Sequence, residues 1–330
     1  FYNRTTRTLY YFNNNTDGQT DINDLVFEAT QLKVLFNYTG SMDEPIENVS
    51  INGLVFRDTG ITYLEPHSMP SGGDWALQRT AALYIEGTKN LSISNNLFTR
   101  LDGNAIGLNK YNRNVTIYRN EIVWNGDNVI YTWGDTEGVS FPDENTTTSM
   151  GWDGTNGNQP RFINISYNLV HELGIFEKQS SFYFQAKSCQ NYIGYNILYN
   201  GPRAGINLND GFGGGSTITK NLIFNFVRES GDHGPINSWD RQVYVTKVRN
   251  GTASTQKALD VIYKNFIIAV YNSQEAVDND DGSCYYNTSY NFLVYGDYGM
   301  KSDFGGHDNY YHNNILAYLN NNCFGINGFY

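Results

Sequence analysis

A short motif built around asparagine recurs through most of the chain. It has two polar or small residues, the asparagine and two mostly apolar residues, as in SNNLF at 94, GYNIL at 194 and HNNIL at 312. Successive motif asparagines are 24, 48, 28, 25, 44, 26 and 23 residues apart; they are Asn96, Asn120, Asn168, Asn196, Asn221, Asn265, Asn291 and Asn314. A repeat of about 25 residues with short strands and no helical period predicts an all-β chain folded as one parallel β-helix (solenoid).

The motif asparagines are predicted to be structural. If each lies at the same bend of its coil, its side-chain amide is buried. It can then bond to the asparagine of the coil above and of the coil below, which avoids the cost of an unpaired buried polar group. An earlier copy of the motif, VSINGLVF at 49, has Leu54 at the asparagine position.

A second strand in each coil alternates apolar with polar residues, the period of a strand with one buried face. Four successive copies are AGINLND at 204, GPINSWD at 234, EAVDNDD at 275 and GMKSDF at 299. Stacked in register about 4.8 Å apart, they would align Asn207, Asn237, Asp278 and Lys301 in one outer column. The next column would hold Asn209, Trp239, Asp280 and Asp303, with Asp210, Asp240 and Asp281 at the following bend.

The repeat extends far enough to predict a single domain over residues 1–330. Residues 1–45 are interpreted as N-terminal coils or a cap, and long insertions are expected at about 57–80, 134–161 and 242–258. The chain begins at Phe1 without a methionine or a signal peptide, so we expect it to be a processed part of a longer secreted chain.

The composition and the glycosylation sequons indicate which classes of partner and which cellular location to expect. A net charge of -11 argues against nucleic acid as a partner. No apolar run approaches the roughly 20 residues of a membrane span. Ten Asn-x-Ser/Thr sequons favour an extracellular or cell-surface protein that carries N-linked glycans; they are Asn3, Asn14, Asn37, Asn48, Asn90, Asn114, Asn145, Asn164, Asn250 and Asn287.

Nearly the whole chain resembles the right-handed parallel β-helix repeat proteins of the pectin-lyase-like superfamily. The motifs that carry this resemblance include NRNVTIYRNEIVWNGD, GPRAGINLNDGFGGG, ESGDHGPINSWDRQ and MKSDFGGHDN. The characterised members are mainly polysaccharide lyases and β-helix glycoside hydrolases. The resemblance therefore implies a right-handed β-helix and an activity on polysaccharide.

The acidic residues of the second strands suit glycoside hydrolysis. That reaction needs two carboxyl groups, about 5–5.5 Å apart for retention and about 6.5–9.5 Å apart for inversion. Asp240 and Asp281 on adjacent coils fit the first distance, and Asp210 with Asp281 fits the second. Crowding would also raise the pKa of one carboxyl group, as a general acid requires. The predicted glycan-binding residues are Arg203, Asn207, Asn209, His233, Asn237, Trp239, Arg241, Asp278, Lys301 and Asp303.

Three alternatives remain open at this level. A polysaccharide lyase would need a cation to neutralise a uronate, and Asp278, Asp280 and Asp281 offer oxygen ligands for Ca²⁺, although without a regular calcium-loop spacing. Stacked Asp and Asn also serve as plain scaffold, because they cap bends. Finally, the chain could be a structural subunit of an extracellular glycoprotein filament or coat, associating end to end without catalysis.

Overall fold

The chain forms two compact units, residues 1–31 and 32–330. The computed structural model describes residues 2–12, 21–69, 75–135, 156–209, 212–239, 244–246, 253–269 and 273–327. In the first unit Tyr2–Asn3 pairs antiparallel with Thr8–Leu9, and Ile22–Asp24 forms a 3₁₀ turn. The carboxylate of Asp21 caps this turn by accepting a hydrogen bond from the backbone N–H of Asn23 at 2.9 Å.

In the described residues of the second unit, three parallel sheets run along the chain's coils, one with 12 strands and two with nine. Sheet I comprises Phe36–Thr39, Ile46–Glu47, Ala81–Lys89, Asn104–Arg113, Ile130–Trp133, Pro160–Arg161, Tyr183–Ala186, Ile206–Leu208, Ile236–Trp239, Glu275–Asp280, Tyr298–Asp303 and Phe324–Asn327. Sheet II comprises Ser50–Asn52, Ser92–Ser94, Thr116–Tyr118, Asn164–Ser166, Tyr192–Gly194, Thr217–Thr219, Asp260–Tyr263, Tyr286–Ser289 and Tyr310–His312. Sheet III comprises Val55–Arg57, Leu97–Leu101, Glu121–Asn125, Leu169–Leu173, Ile197–Tyr199, Leu222–Phe224, Phe266–Ile268, Phe292–Val294 and Ile315–Ala317.

The chain visits the sheets in the repeating order II, III, I, so the sheets are the three faces of one solenoid. Equivalent residues of successive coils lie opposite one another; Ile117, for example, is paired with Ile93 on one side and Ile165 on the other. The predicted all-β parallel β-helix is confirmed. The antiparallel pair Tyr244–Thr246 and Ala253–Lys257 falls in the predicted insertion 242–258. Among the described residues, no helix has the length and apolar character that crossing a bilayer requires.

Stacked columns of apolar side chains fill the interior. In sheets II and III one apolar residue at an equivalent position of successive strands points inward, in agreement with the alternation of the sequence. The sheet II column is Ile51, Ile93, Ile117, Ile165, Ile193, Ile218 and Ile262, and the sheet III column is Phe56, Phe98, Ile122, Val170, Leu198, Ile223, Ile267 and Leu293. All are at most 4% exposed. Burying each such side chain contributes about 1.5–3 kcal/mol to stability.

The predicted asparagine ladder is confirmed. Asn96 donates from Nδ2 to Oδ1 of Asn120 at 3.0 Å, and the same bond links each motif asparagine to the next as far as Asn314. The backbone N–H of each residue donates to the same Oδ1, as from Asn96 to Asn120 at 3.0 Å. At the start of the ladder the backbone N–H of Leu54 donates to Asn96 Oδ1 at 2.9 Å. The coil that carries Leu54 is therefore connected to the ladder by a backbone hydrogen bond and not by a side chain.

A left-handed residue precedes each position of the ladder. Gly53, ahead of Leu54, has a φ of 73°. Elsewhere the residue has a side chain and φ between 53° and 60°: Asn95, Arg119, Tyr167, Tyr195, Lys220, Lys264, Tyr290 and Asn313. A non-glycine residue in this region costs about 1–2 kcal/mol. The hydrogen bonds that the following asparagine makes offset that cost at every coil.

The buried carboxyl group of Asp260 should make the stability of the fold depend on pH. It accepts a hydrogen bond from the backbone N–H of Ser216 at 2.7 Å, and burial raises the pKa of Asp260 to about 7. Between pH 4 and 7 the folded state therefore binds this proton more tightly than the unfolded chain does. The contribution to stability is full at low pH and falls as pH rises, by up to about 1.4 kcal/mol per pH unit.

Asp260→Asn keeps an acceptor oxygen but cannot ionise, so we expect a shallower decline in unfolding free energy from pH 4 to 8. Urea denaturation at several pH values measures this, with the exposed Asp43→Asn as the control. A decline as steep as that of the wild type would contradict the interpretation.

Candidate functional site

The predicted polar column is present on the outer face of sheet I. Asn207 lies opposite Asn237, Asn237 opposite Asp278, and Asp278 opposite Lys301. The exposed fractions of these four residues are only 0, 1, 0 and 5%. Their polar atoms are shielded from bulk water, so they must be satisfied mainly by one another.

The ammonium group of Lys301 is the centre of this arrangement. Its Nζ lies 3.2 Å from Asp278 Oδ1, 3.5 Å from Asp280 Oδ1 and 3.3 Å from Asp303 Oδ2. Burial alone would lower the pKa of Lys301, but the surrounding carboxylates raise it above its ordinary value. Because all three oxygens contact one nitrogen atom, no two of them are more than about 7 Å apart. We call Lys301 with Asp278, Asp280, Asp303 and Glu275 the Lys301 cluster.

Glu275 adds a carboxyl group to the cluster that is almost fully buried. The residue is 1% exposed, and its Oε2 has no hydrogen-bond partner among the described residues. Burial raises the pKa of Glu275 to about 7, Lys301 opposes the shift, and Asp280, Asp232 and Asp303 reinforce it. The buried carboxyl group of Glu275 therefore holds its proton to a higher pH than an exposed glutamate does.

Burial also raises the pKa of Asp278 and Asp280, in each case against the effect of Lys301. Asp278 is completely buried, and its Oδ2 lies 2.8 Å from the side chain of Asn237 in the orientation in which that amide donates. Asp278 is thus held from two sides and cannot reach a ligand. The side chain of Asp280 is 23% exposed and can.

An aromatic and basic group adjoins the cluster. The guanidinium of Arg203 lies over the ring of Trp75, 3.8 Å from its centroid, and the ring of His233 is 5.7 Å from the same tryptophan. His233 Nε2 is 2.9 Å from Asp232 Oδ1. Burial, together with the positive charges of Arg203 and Lys301, lowers the pKa of His233 to about 4. The imidazole is accordingly neutral at pH 7.

The cluster does not suit Ca²⁺, which the sequence left as an open alternative for Asp278, Asp280 and Asp281. The ammonium of Lys301 already lies between Asp278 and Asp280, where a cation would have to bind. In the part of the chain that the structure describes, no group of three His, Cys, Asp or Glu side chains is arranged to hold a metal. The arrangement instead provides carboxylate oxygens that are at most about 7 Å apart, and one of these side chains, Asp280, is partly exposed.

The structure brings together much of the predicted glycan-binding set. Trp239 lies opposite Asp280 in sheet I, and Asn209, directly beyond the strand Ile206–Leu208, is buried. The turn residue Asp281, with a φ of 45°, donates from its backbone N–H to Asp280 Oδ1 at 2.9 Å. Three predicted residues lie outside the described part of the chain: Asp210, Asp240 and Arg241.

Two members of the site were missed by the sequence analysis. Glu275 stands two positions before the core residue Val277, so the alternation assigns it to the inner face and gave no signal that it belongs to the site. Trp75 lies in the predicted insertion 57–80, far along the chain from Arg203. No local pattern connects the two, since only the packing of the insertion onto sheet I brings them together.

Seven of the ten sequon asparagines are described, while Asn14, Asn145 and Asn250 lie outside the described residues. Five of the seven are exposed, and three of these five, Asn48, Asn90 and Asn114, stack on successive coils. Asn90 Nδ2 donates to Asn48 Oδ1 at 3.3 Å, and Asn114 Nδ2 donates to Asn90 Oδ1 at 3.2 Å. Glycans on these residues would line one edge of the solenoid. Their presence stays a prediction.

Comparisons with known proteins show that this chain is similar to solved structures in its fold. No protein-family model matches the sequence, and no curated protein matches it. The structure is similar to that of a glycoside hydrolase, with a TM-score of 0.57 and 13% sequence identity over 89% of this chain and 51% of the other. It is also similar to PfbA, a surface adhesin of Streptococcus pneumoniae, with a TM-score of 0.43 and 12% identity over 88% and 73% of the two chains. This chain therefore spans about half the length of the glycoside hydrolase, with which it shares the fold.

Proposed function

We propose that the Lys301 cluster binds a polysaccharide and hydrolyses its glycosidic bonds. The observation that carries this is the gathering of carboxyl groups around one buried ammonium, at an edge where Asp280 remains accessible. A separation of at most about 7 Å between the carboxylate oxygens includes the spacing of about 5–5.5 Å that retaining enzymes use. The fold likeness to a glycoside hydrolase is compatible with this proposal.

The roles follow from burial and charge. Asp280 is the proton donor, because its pKa is raised by burial and its side chain still reaches solvent. Asp303 is the second carboxylate, held in place by Lys301 at 3.3 Å. Trp239, opposite Asp280, offers a ring on which a sugar can stack. Lys301 is a positioning residue, since it holds three carboxylates and is itself 5% exposed.

The carboxylates singled out from the sequence stay part of the proposal. Each follows the end of a sheet I strand within two residues: Asp210 after Leu208, Asp240 after Trp239 and Asp281 after Asp280. A chain that bends there would present these side chains beside the same edge, where they could serve as further acids or bind the glycan. The other predicted contacts, Arg203, Asn207, Asn209, His233, Asn237 and Arg241, are proposed to support this surface.

We also propose that the protein acts outside the cell and carries N-linked glycans, which the sequons support. A polysaccharide is the substrate class expected there. Membership of the pectin-lyase-like superfamily stays a prediction. So do the alternatives of a lyase and of a filament subunit that associates end to end.

Asp280→Asn and Asp303→Asn are each expected to reduce polysaccharide cleavage by at least about 100-fold, because loss of a general acid or a nucleophile removes a step of the reaction. Reducing-end release from a panel of polysaccharides measures this, and thermal unfolding checks that the variants fold. Asp43→Asn, on an exposed residue of the same type, is the control and should keep full activity. Wild-type turnover in both site variants would rule out the assignment. Cleavage of no polysaccharide by the wild type would refute hydrolysis and leave binding to be measured directly.

A further inference from the structure

The charges of the site are distributed unevenly between its surface and its interior. Among the described residues, those that a ligand would meet first are carboxylates: the side chain of Asp232 is 76% exposed and that of Asp280 is 23% exposed. The cations lie deeper. The side chain of Lys301 is 7% exposed, and Arg203 is 9% exposed beneath the contact with Trp75.

The buried cations are already engaged. Lys301 lies within 3.5 Å of three carboxylate oxygens, so its single positive charge is more than balanced. The Arg203 guanidinium lies flat on the Trp75 ring at 3.8 Å, a geometry that gives cation–π attraction. A uronate entering the site would meet carboxylates and would find neither cation available to pair with it without breaking these contacts.

An independent feature points to a hydrogen-bond donor as the missing ligand group. Glu275 is 1% exposed, and its Oε2 has no hydrogen-bond partner among the described residues, although it interacts electrostatically with Lys301, Asp280 and Asp232. A buried acceptor left unpaired costs about 1–3 kcal/mol. A ligand N–H or O–H group placed there would recover that cost, whereas a ligand carboxylate placed there would add a negative charge beside Asp232 and Asp280.

We propose that the Lys301 cluster selects glycans without negative charge, and that it binds a sugar with a free ammonium group more tightly than its N-acetylated counterpart. This rests on the proposed polysaccharide site and specifies its substrate class. An ammonium beside Asp232 and Asp280 gains Coulomb attraction that is screened by salt, whereas a uronate is repelled by the same groups.

Binding of the purified protein to a printed glycan array that carries neutral, amino and uronate sugars tests this class. We expect the bound glycans to be neutral or amino-bearing. We further expect oligosaccharides with free amino groups to bind about tenfold more tightly than their N-acetylated forms at low salt. That ratio should shrink at high salt, because the attraction is electrostatic. Asp280→Asn should reduce the ratio, Asp280→Lys should admit uronates, and Asp43→Asn should behave as the wild type.

The outcomes distinguish a failure of the proposed polysaccharide site from a failure of the proposed charge selection. If uronates bind best while Asp280→Asn and Asp303→Asn still abolish cleavage, the site stands and the charge selection is wrong. If amino and N-acetylated forms bind equally, the preference for ammonium is wrong. If the wild type binds no glycan on the array and cleaves no polysaccharide, both proposals are overturned.

Discussion

Asn221→Leu is expected to lower the free energy of unfolding by about 3–5 kcal/mol, the largest effect of a single substitution outside the Lys301 cluster. Asn221 Oδ1 accepts from both the backbone N–H and the side-chain Nδ2 of Asn196, each at 3.0 Å. Its own Nδ2 donates to the carbonyl of Ile193 and to Asn265 Oδ1, also at 3.0 Å. Leucine leaves these buried groups without a partner, and no water can reach them.

Urea denaturation measures this loss, and the ladder provides a matched control. Asn314→Leu removes the same chemical group at the end of the ladder, where the residue is only partly buried. Water can replace the lost bonds there, so we expect a smaller effect, of about 1 kcal/mol. Equal effects at the two positions, or a loss below about 1 kcal/mol for Asn221→Leu, would show that the ladder stabilises the coils less than its geometry indicates.

Lys301→Met is expected to destabilise the fold by about 3–5 kcal/mol at pH 7, because it leaves a group of buried carboxylates without a compensating charge. The variant should also respond to pH. Without the ammonium, the pKa values of Asp278 and Asp280 rise further in the folded state, which then binds protons more tightly than the unfolded chain. The deficit therefore grows as pH rises from about 4 to 8 and shrinks as pH falls.

Two further variants distinguish the loss of charge compensation in Lys301→Met from a general loss of packing. Lys110→Met removes a lysine from the same sheet whose Nζ is 2.7 Å from Glu86 Oε1 and whose side chain is 37% exposed; it should cost less than about 1 kcal/mol. Adding Asp278→Asn to Lys301→Met removes one uncompensated charge and should recover part of the stability. Equal losses for Lys301→Met and Lys110→Met, or no recovery in the double variant, would contradict the electrostatic explanation.

The site was only partly predictable from the sequence. The column of Asn207, Asn237, Asp278 and Lys301 could be aligned correctly, because a solenoid repeats one register from coil to coil. The sequence placed the acid pair among Asp210, Asp240 and Asp281. We propose instead that Asp280, whose side chain is 23% exposed, acts together with Asp303, the second carboxylate beside Lys301. Strand residues alternate sides, whereas a turn residue such as Asp281 has no face that a pattern can assign.

The sequence by itself determined the architecture. The spacing of the motif asparagines, the alternation within short strands and the bend before each asparagine all repeat along the chain, and a repeat needs only its neighbours to be satisfied. The tertiary structure alone decided the electrostatics of the site. Packing of the segment that carries Trp75 onto sheet I joins parts of the chain that no period relates. The period aligned Lys301 with Asp278, but it did not indicate how deeply Lys301 and Glu275 are buried. Burial and charge pairing depend on which surfaces finally cover one another, and that is a property of the folded chain.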